Sequence, residues 1–234
     1  MKPKWQGWHA ASGGSASDWV ELSHRLTPNL ARIPSFPKPD FHRRMSMPAD
    51  PYNLTEMHMI CHFGTHVDAP CHFIPGAPAM HEIPLARLCG PGVVWRIERE
   101  PYGIVDADVF ERSQPAAAAG DIVLLDTGWA QHFETARYDE HPCLSVAAAQ
   151  WLVDHDVKLL GVDFLTPDLA VNRRRADFDW PVHHLLLSHG VLIAENLTNL
   201  ATLASRRVEV MILALNIEGA DGAPARVIAR PAAR

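Results

Sequence analysis

Positive charge is scarce in this 234-residue chain: 21 lysines and arginines stand against 27 aspartates and glutamates, a formal net charge of −6. A nucleic-acid binder would normally present a basic face, so that class of partner is excluded. Cysteine is scarce as well. Cys61, Cys71, Cys89 and Cys143 form no C-x-x-C pair, which argues for reduced thiols in a cytoplasmic protein. No apolar run is long enough to span a membrane. Two lysines open the chain with no apolar segment behind them, so no signal peptide is expected. No internal repeat or low-complexity tract stands out.

What the chain does have is apolar content, 47% of its residues, enough for one sizeable core. The expectation is a tail over 1–16, containing Trp5 and Trp8, and a single domain over 17–234. Strands are predicted at 19–22, 93–97, 121–126, 158–163, 191–194 and 208–215. Helices are predicted at 106–112, from a Ser145 cap to His155, and from Pro181 to a C-terminal Gly190. Residues 27–51 are rich in proline and read as a long ordered loop. Loops of that length in a domain tend to be functional, and this one precedes the most polar stretch of the chain, so it is expected to cover a pocket. Many short strands with two or three helices indicate an α/β fold with a mixed sheet.

The chemistry concentrates in His62-Phe63-Gly64-Thr65-His66-Val67-Asp68-Ala69-Pro70-Cys71-His72, where three histidines and an aspartate fall within eleven residues. Imidazole and carboxylate are ligands for zinc, manganese or iron. A buried aspartate needs a compensating charge, and a divalent cation supplies one. Gly64 permits a tight turn, and Pro70 resists helix. Alternation of Glu56, His58, Ile60 and His62 with Met57, Met59, Cys61 and Phe63 predicts a strand with one apolar face, ending near His62. His58 and His81 flank the motif without its spacing and read as ordinary polar residues; Cys71 reads as a filler thiol.

This motif resembles the signature of the metal-dependent cyclase family of hydrolases, which includes bacterial kynurenine formamidase and isatin hydrolase. The resemblance runs from Glu21-Leu22-Ser23-His24 through the central motif to Asp221-Gly222-Ala223-Pro224-Ala225-Arg226. It implies a swivelling β/β/α-type barrel-like core with a few flanking helices, commonly in a homodimer or larger assembly. It implies that His62, His66 and Asp68 ligate metal and that His72 is the catalytic acid/base. A further His and Glu are implied twelve residues apart, matched by His183 and Glu195, with His184 as the competitor for the first. In the family a tryptophan in the N-terminal proline-rich loop touches an aromatic substrate. Here Phe36 is the nearest aromatic, and becomes the substrate-binding candidate.

The expected reaction is hydrolysis of a C–N bond (amide, formamide or cyclic imide) in a small molecule. Metal-activated water is the nucleophile and His72 moves the protons. One or two Zn2+ or Mn2+ ions per chain are expected, with Asp68 bridging in the two-ion case. The alternatives are a lactone hydrolase and a non-catalytic metal-binding protein. Three further features stay open. Asp163 reads as a capping residue at a strand end, Trp129 as either packing or pocket lining, and Arg173 to Arg175 as a solvated cluster with a carboxylate clamp as the alternative.

Overall fold

The computed structural model describes residues 18–30, 32, 33 and 35–233. The expectations for the tail over 1–16, for Trp5 and Trp8 and for Pro34 therefore lie outside the described residues. Its sheet is centred on the most apolar strands. Ile122–Asp126, buried along its whole length, lies between Cys89–Arg96 and Leu159–Val162, and Leu192–Glu195 follows, all four parallel. Near-continuous Val, Leu and Ile suit strands covered on both faces.

In chain order the strands are β1 (Val20–Glu21), β2 (Asp40–Met45), β3 (Leu54–His58), β4 (His66–Asp68), β5 (Cys89–Arg96), β6 (Ile104–Val105), β7 (Ile122–Asp126), β8 (Cys143–Leu144), β9 (Leu159–Val162), β10 (Leu192–Glu195), β11 (Arg206–Ala214) and β12 (Gly222–Pro231). The helices are α1 (Leu85–Leu88), α2 (Ala107–Arg112), α3 (Val146–Asp154) and α4 (Pro181–Ser188). Antiparallel pairing adds β11 and β12 beyond β5, while β4 pairs with both β10 and β12. The sheet thus closes as β12-β11-β5-β7-β9-β10-β4, with β1 appended to β12. The α/β class and the barrel-like core are as expected.

One buried cluster draws Val67, Val94, Leu124, Leu159, Ala194 and Val227 from the closed strands and fills the barrel. The other contains Trp95, Leu125, Leu152, Leu160, Leu186 and Ile193, and lies between the sheet's outer face and the helices. α2 and α4 both pack on α3. Ser145 Oγ accepts the Ala148 amide, capping α3 as read, and Asp106 accepts the Ala107 amide at the start of α2. α4 begins at Pro181, and Gly190 follows its end at φ +74°.

The structure corrects four local readings. The 27–51 segment is not all loop, because β2 pairs with β3 in a two-stranded sheet of its own. The strand before the motif stops at His58, four residues short of His62, and its expected apolar face is exposed at Met57. A strand after the turn, β4, carries the motif instead. The ten-residue β12 was not anticipated: Gly222, Pro224 and Pro231 interrupt any strand pattern, and Pro224 has no N–H to give the ladder. Arg174 is not solvated; it is half-buried, with its guanidinium over the rings of Phe178 and Trp180.

Candidate metal centre

Period-two geometry places His66 and Asp68 on one face of β4 and Val67 on the other, and Val67 belongs to the barrel interior. His66 and Asp68 therefore face outward, beneath α4. In the β4–β10 ladder Glu195 lies opposite His66. Directly opposed residues are near neighbours, and His66 Nε2 lies 3.4 Å from Glu195 Oε2 and 3.4 Å from Asp68 Oδ1. The turn before β4 needs Gly64, at φ +66°, where a Cβ would come within 2.6 Å of Leu26. Its carbonyl accepts hydrogen bonds from His66 Nδ1 at 2.8 Å and from Asn196 Nδ2 at 3.0 Å. Asn196 thereby ties the Glu195 end of β10 to the motif turn.

α4 brings the fourth donor. Trp180, at its start, has φ 49° and offers no side-chain cap. Such a conformation costs on the order of 1–3 kcal/mol for a non-glycine residue. The missing cap comes from Asp168, whose carboxylate accepts the amides of Val182 and His183 at 3.0 Å each. Asp168 Oδ2 also takes His183 Nδ1, at 2.5 Å. The free His183 Nε2 then lies 3.3 Å from Glu195 Oε1 and 3.5 Å from Asp68 Oδ2. His184 is exposed, its ring against Phe73, and is not in the cluster.

His62 stands at the rim. Its Nδ1 contacts Asp68 Oδ1 at 2.8 Å, and its Nε2 lies 3.1 Å from Asp221 Oδ2. His72 stacks on His62 with centroids 3.9 Å apart, and its Nδ1 is 3.4 Å from the same Asp221 oxygen. The structure thus gathers His62, His66, Asp68, His183 and Glu195 with His72 beside them.

The charges in this cluster are strongly coupled. Burial alone would push the His66 imidazole down, yet Asp68 and Glu195 outweigh it and hold the ring up at about 10. His183 is likewise raised against burial by Asp168, Asp68 and Glu195. Burial would raise Asp68, but His183, His62 and His66 hold it well below the usual carboxylate range. His72 goes the other way. Its burial lowers it, and the pull of Asp68 and Asp221 does not restore it.

The donor set fits a cation on the structure's own terms. His66 Nε2, Asp68 Oδ2 and Glu195 Oε1 are buried without a hydrogen-bond partner, and such orphans are costly unless something else satisfies them. The separations of His66 Nε2 and His183 Nε2 from the Asp68 and Glu195 carboxylates, 3.3–3.5 Å, exceed ordinary N–H···O hydrogen bonds. They match the roughly 3.3 Å edge of a tetrahedron with ~2.0–2.1 Å metal–ligand bonds. Two groups of three donors, His62-His66-Asp68 and Asp68-His183-Glu195, share Asp68.

The cluster floors a cavity of ≈ 270 Å³, walled by Ile33, Phe36, Phe73, Leu165 and Trp180. Phe36 is therefore in the wall, and the first half of the proline-rich segment does cover the pocket. Trp129 is buried in packing, its indole N–H on the Tyr138 carbonyl. Asp163 caps the turn before it, accepting Thr127 and Trp129 amides. Asp168, Asp221, Asn196 and Trp180 escaped the sequence reading. Each acts on residues distant in sequence or through an unusual backbone angle, and only the quoted Asp221-Gly222 motif gave a hint.

Residues 20–169 match the family model described as "Putative cyclase". A kynurenine formamidase of Bacillus cereus is 27% identical over 218 residues, covering 92% of this chain and 98% of that one. A kynurenine formamidase of Bordetella avium is 30% identical over 188 residues, covering 78% and 83%. A solved structure of a potential metal-dependent hydrolase with cyclase activity superposes with a TM-score of 0.75 at 25% identity, covering 92% and 98%. An isatin hydrolase bound to the product analogue thioisatinate gives a TM-score of 0.82 at 22% identity, covering 99% and 100%. The last is a likeness of fold.

Proposed function

This chain belongs to the cyclase family, and from that premise we propose that it is a metal-dependent hydrolase cleaving a non-peptide C–N bond of a small molecule. The bond is an amide, formamide or cyclic imide. The observation that carries the reading is two donor triads sharing Asp68, with a fourth histidine ring, that of His72, stacked against them at the floor of an apolar cavity.

His62, His66, Asp68, His183 and Glu195 would hold one or two divalent cations. Nitrogen and oxygen donors without thiolate suit Zn2+ or Mn2+. When bound, such a cation would polarise a carbonyl oxygen and lower the pKa of water towards about 7. His72 does the proton work. Burial keeps its ring neutral and able to take a proton from the attacking water. The water oxygen joins the acyl carbon, the C–N bond breaks, and His72 returns its proton to the departing nitrogen. Phe36, Phe73 and Trp180 offer flat apolar surface to the substrate, which supports an aryl-bearing one.

Met57, Leu213 and Leu215 are exposed along one groove beside the Glu21–Arg226 ion pair. Exposed apolar side chains on one surface support a homodimer or larger assembly, read by light scattering. No helix of the described residues is long and apolar enough to cross a membrane, and a cytoplasmic location is part of the proposal.

The test is elemental analysis of purified protein, then an assay of zinc- and manganese-loaded protein on formyl-anilides, isatin, cyclic imides and lactones. Metal at one or two per chain with cleavage of a C–N substrate is expected. Cleavage of lactones alone would move the reading to an ester hydrolase. A fully metallated protein that cleaves nothing would make it a binding protein.

A further inference from the structure

Each metal-facing imidazole in the inner cluster has its other nitrogen tied down. His66 Nδ1 is held by the Gly64 carbonyl, and His183 Nδ1 by Asp168. Such outer partners fix ring orientation and tautomer in metal sites. His62 is tied differently. Its Nδ1 faces Asp68 within the cluster, and the acceptor nearest its buried Nε2 is Asp221 Oδ2 at 3.1 Å. The same oxygen lies 3.4 Å from His72 Nδ1.

The backbone around Asp221 is pinned to the motif it serves. Its carbonyl accepts the Ala69 amide at 2.9 Å, and the neighbouring Ala220 carbonyl accepts the Met80 amide at 2.8 Å. Gly222 pairs with Asp68 in the β4–β12 ladder. Its lack of a side chain lets β12 lie against the His62 ring, since a Cβ there would sit 2.8 Å from His62 Cε1. The carboxylate is therefore delivered to a defined place between two rings that stack on each other.

We propose that Asp221 is a positioning residue that sets both His62 and His72. Against His62 it completes a carboxylate–histidine pair for a metal-facing ring. Against His72, whose Nδ1 lies 3.4 Å away and beyond ordinary hydrogen-bond length, its negative charge favours the tautomer with hydrogen on Nδ1, which leaves the Nε2 lone pair free to accept a proton. One carboxylate thus couples metal retention to proton transfer. The proposal rests on the hydrolase reading above for its His72 half only.

Two readouts test it. The first is Co2+ titration of metal-free wild type, D221A and D221N, followed by visible absorption. The second is steady-state kinetics at saturating metal, with D221A also placed in an H72A background. D221A should weaken Co2+ binding about tenfold or more, and lower kcat by a similar factor with KM within about twofold. D221N keeps an acceptor oxygen and should recover part of both losses. In the H72A background D221A should lower kcat no further, because residues that act through one another are not additive. Wild-type cobalt affinity and kcat in D221A would overturn the proposal. So would a kcat loss undiminished by H72A. If D221A does not fold, as judged by thermal melting, D221N carries the same comparison. If wild type cleaves no substrate, the hydrolase reading fails, and the cobalt titration still decides the His62 half.

Discussion

Asp168 Oδ2 accepts both the backbone N–H and the ring Nδ1–H of His183, at 3.0 and 2.5 Å. One carboxylate thus caps α4 and aims the imidazole it carries. Asp168→Asn keeps an oxygen for one amide but cannot accept from the ring with its NH2. Metal affinity should fall by about 10–100-fold, measured by competition with a chromogenic chelator. Asp168→Ala should add about 1 kcal/mol of lost stability from the uncapped helix, read in denaturant. Unchanged affinity in both variants would leave Asp168 as a cap alone.

His72 stacks on His62 without standing among the buried donors His66, Asp68, His183 and Glu195. His72→Ala should leave the metal-to-protein ratio unchanged and lower kcat by about 10²–10⁴. Elemental analysis and turnover on the same preparation check both halves. A variant that turns over normally would remove His72 from the reaction.

Cation and proton compete for the same imidazoles. His66 is held up at about 10 in the metal-free protein, against an unfolded value of 6.5. Its bound proton contributes stability that is complete below 6.5 and is lost as pH rises through about 10. Metal-free protein should therefore lose stability over that window. A bound cation replaces the proton and releases it, so metal-loaded protein should decline less. At metal concentrations near 100 Kd the added stability is about 2.7 kcal/mol. Melting curves with and without chelator at pH 6.5, 8 and 9.5 measure the gap. A gap that narrows with rising pH would contradict the coupling.

Gly222 marks the closest approach between β12 and the motif. A Cβ there would lie 2.7 Å from the Val67 carbonyl oxygen and 2.8 Å from His62 Cε1. Backbone cannot yield as a side-chain tip can, so Gly222→Ala should cost about 1–3 kcal/mol and push the His62 ring aside. The test is a paired one: Tm and metal affinity should fall together. A loss of stability with wild-type affinity would mean that the ring has not moved.

The sequence exposed what depends on local pattern. β7, α2, α3 and α4 were legible because apolar spacing, Asp106, Ser145 and Pro181 signal them directly. His62, His66, Asp68 and His72 were legible because glycine and proline punctuate a dense cluster, and His183 with Glu195 through a family spacing. His183 could not be separated from His184 by position alone; a carboxylate fifteen residues earlier decides which ring is buried. β12 stayed hidden because two prolines and two arginines break its alternation, and its partners are remote strands. Asp221 lies beside rings about 150 residues away in the chain, so local pattern could not place it and only the family motif that contains it gave a hint.

Three of the five clustered donors, His66, Asp68 and Glu195, sit on β4 and β10, neighbours in a closed sheet with Glu195 opposite His66. The apolar walls of the cavity come instead from connecting segments, at Ile33, Phe36, Leu165 and Trp180. Exchanges at those positions leave the ladder untouched. A lineage built on this plan can therefore trade one substrate for another while its bond-breaking apparatus stays as it is.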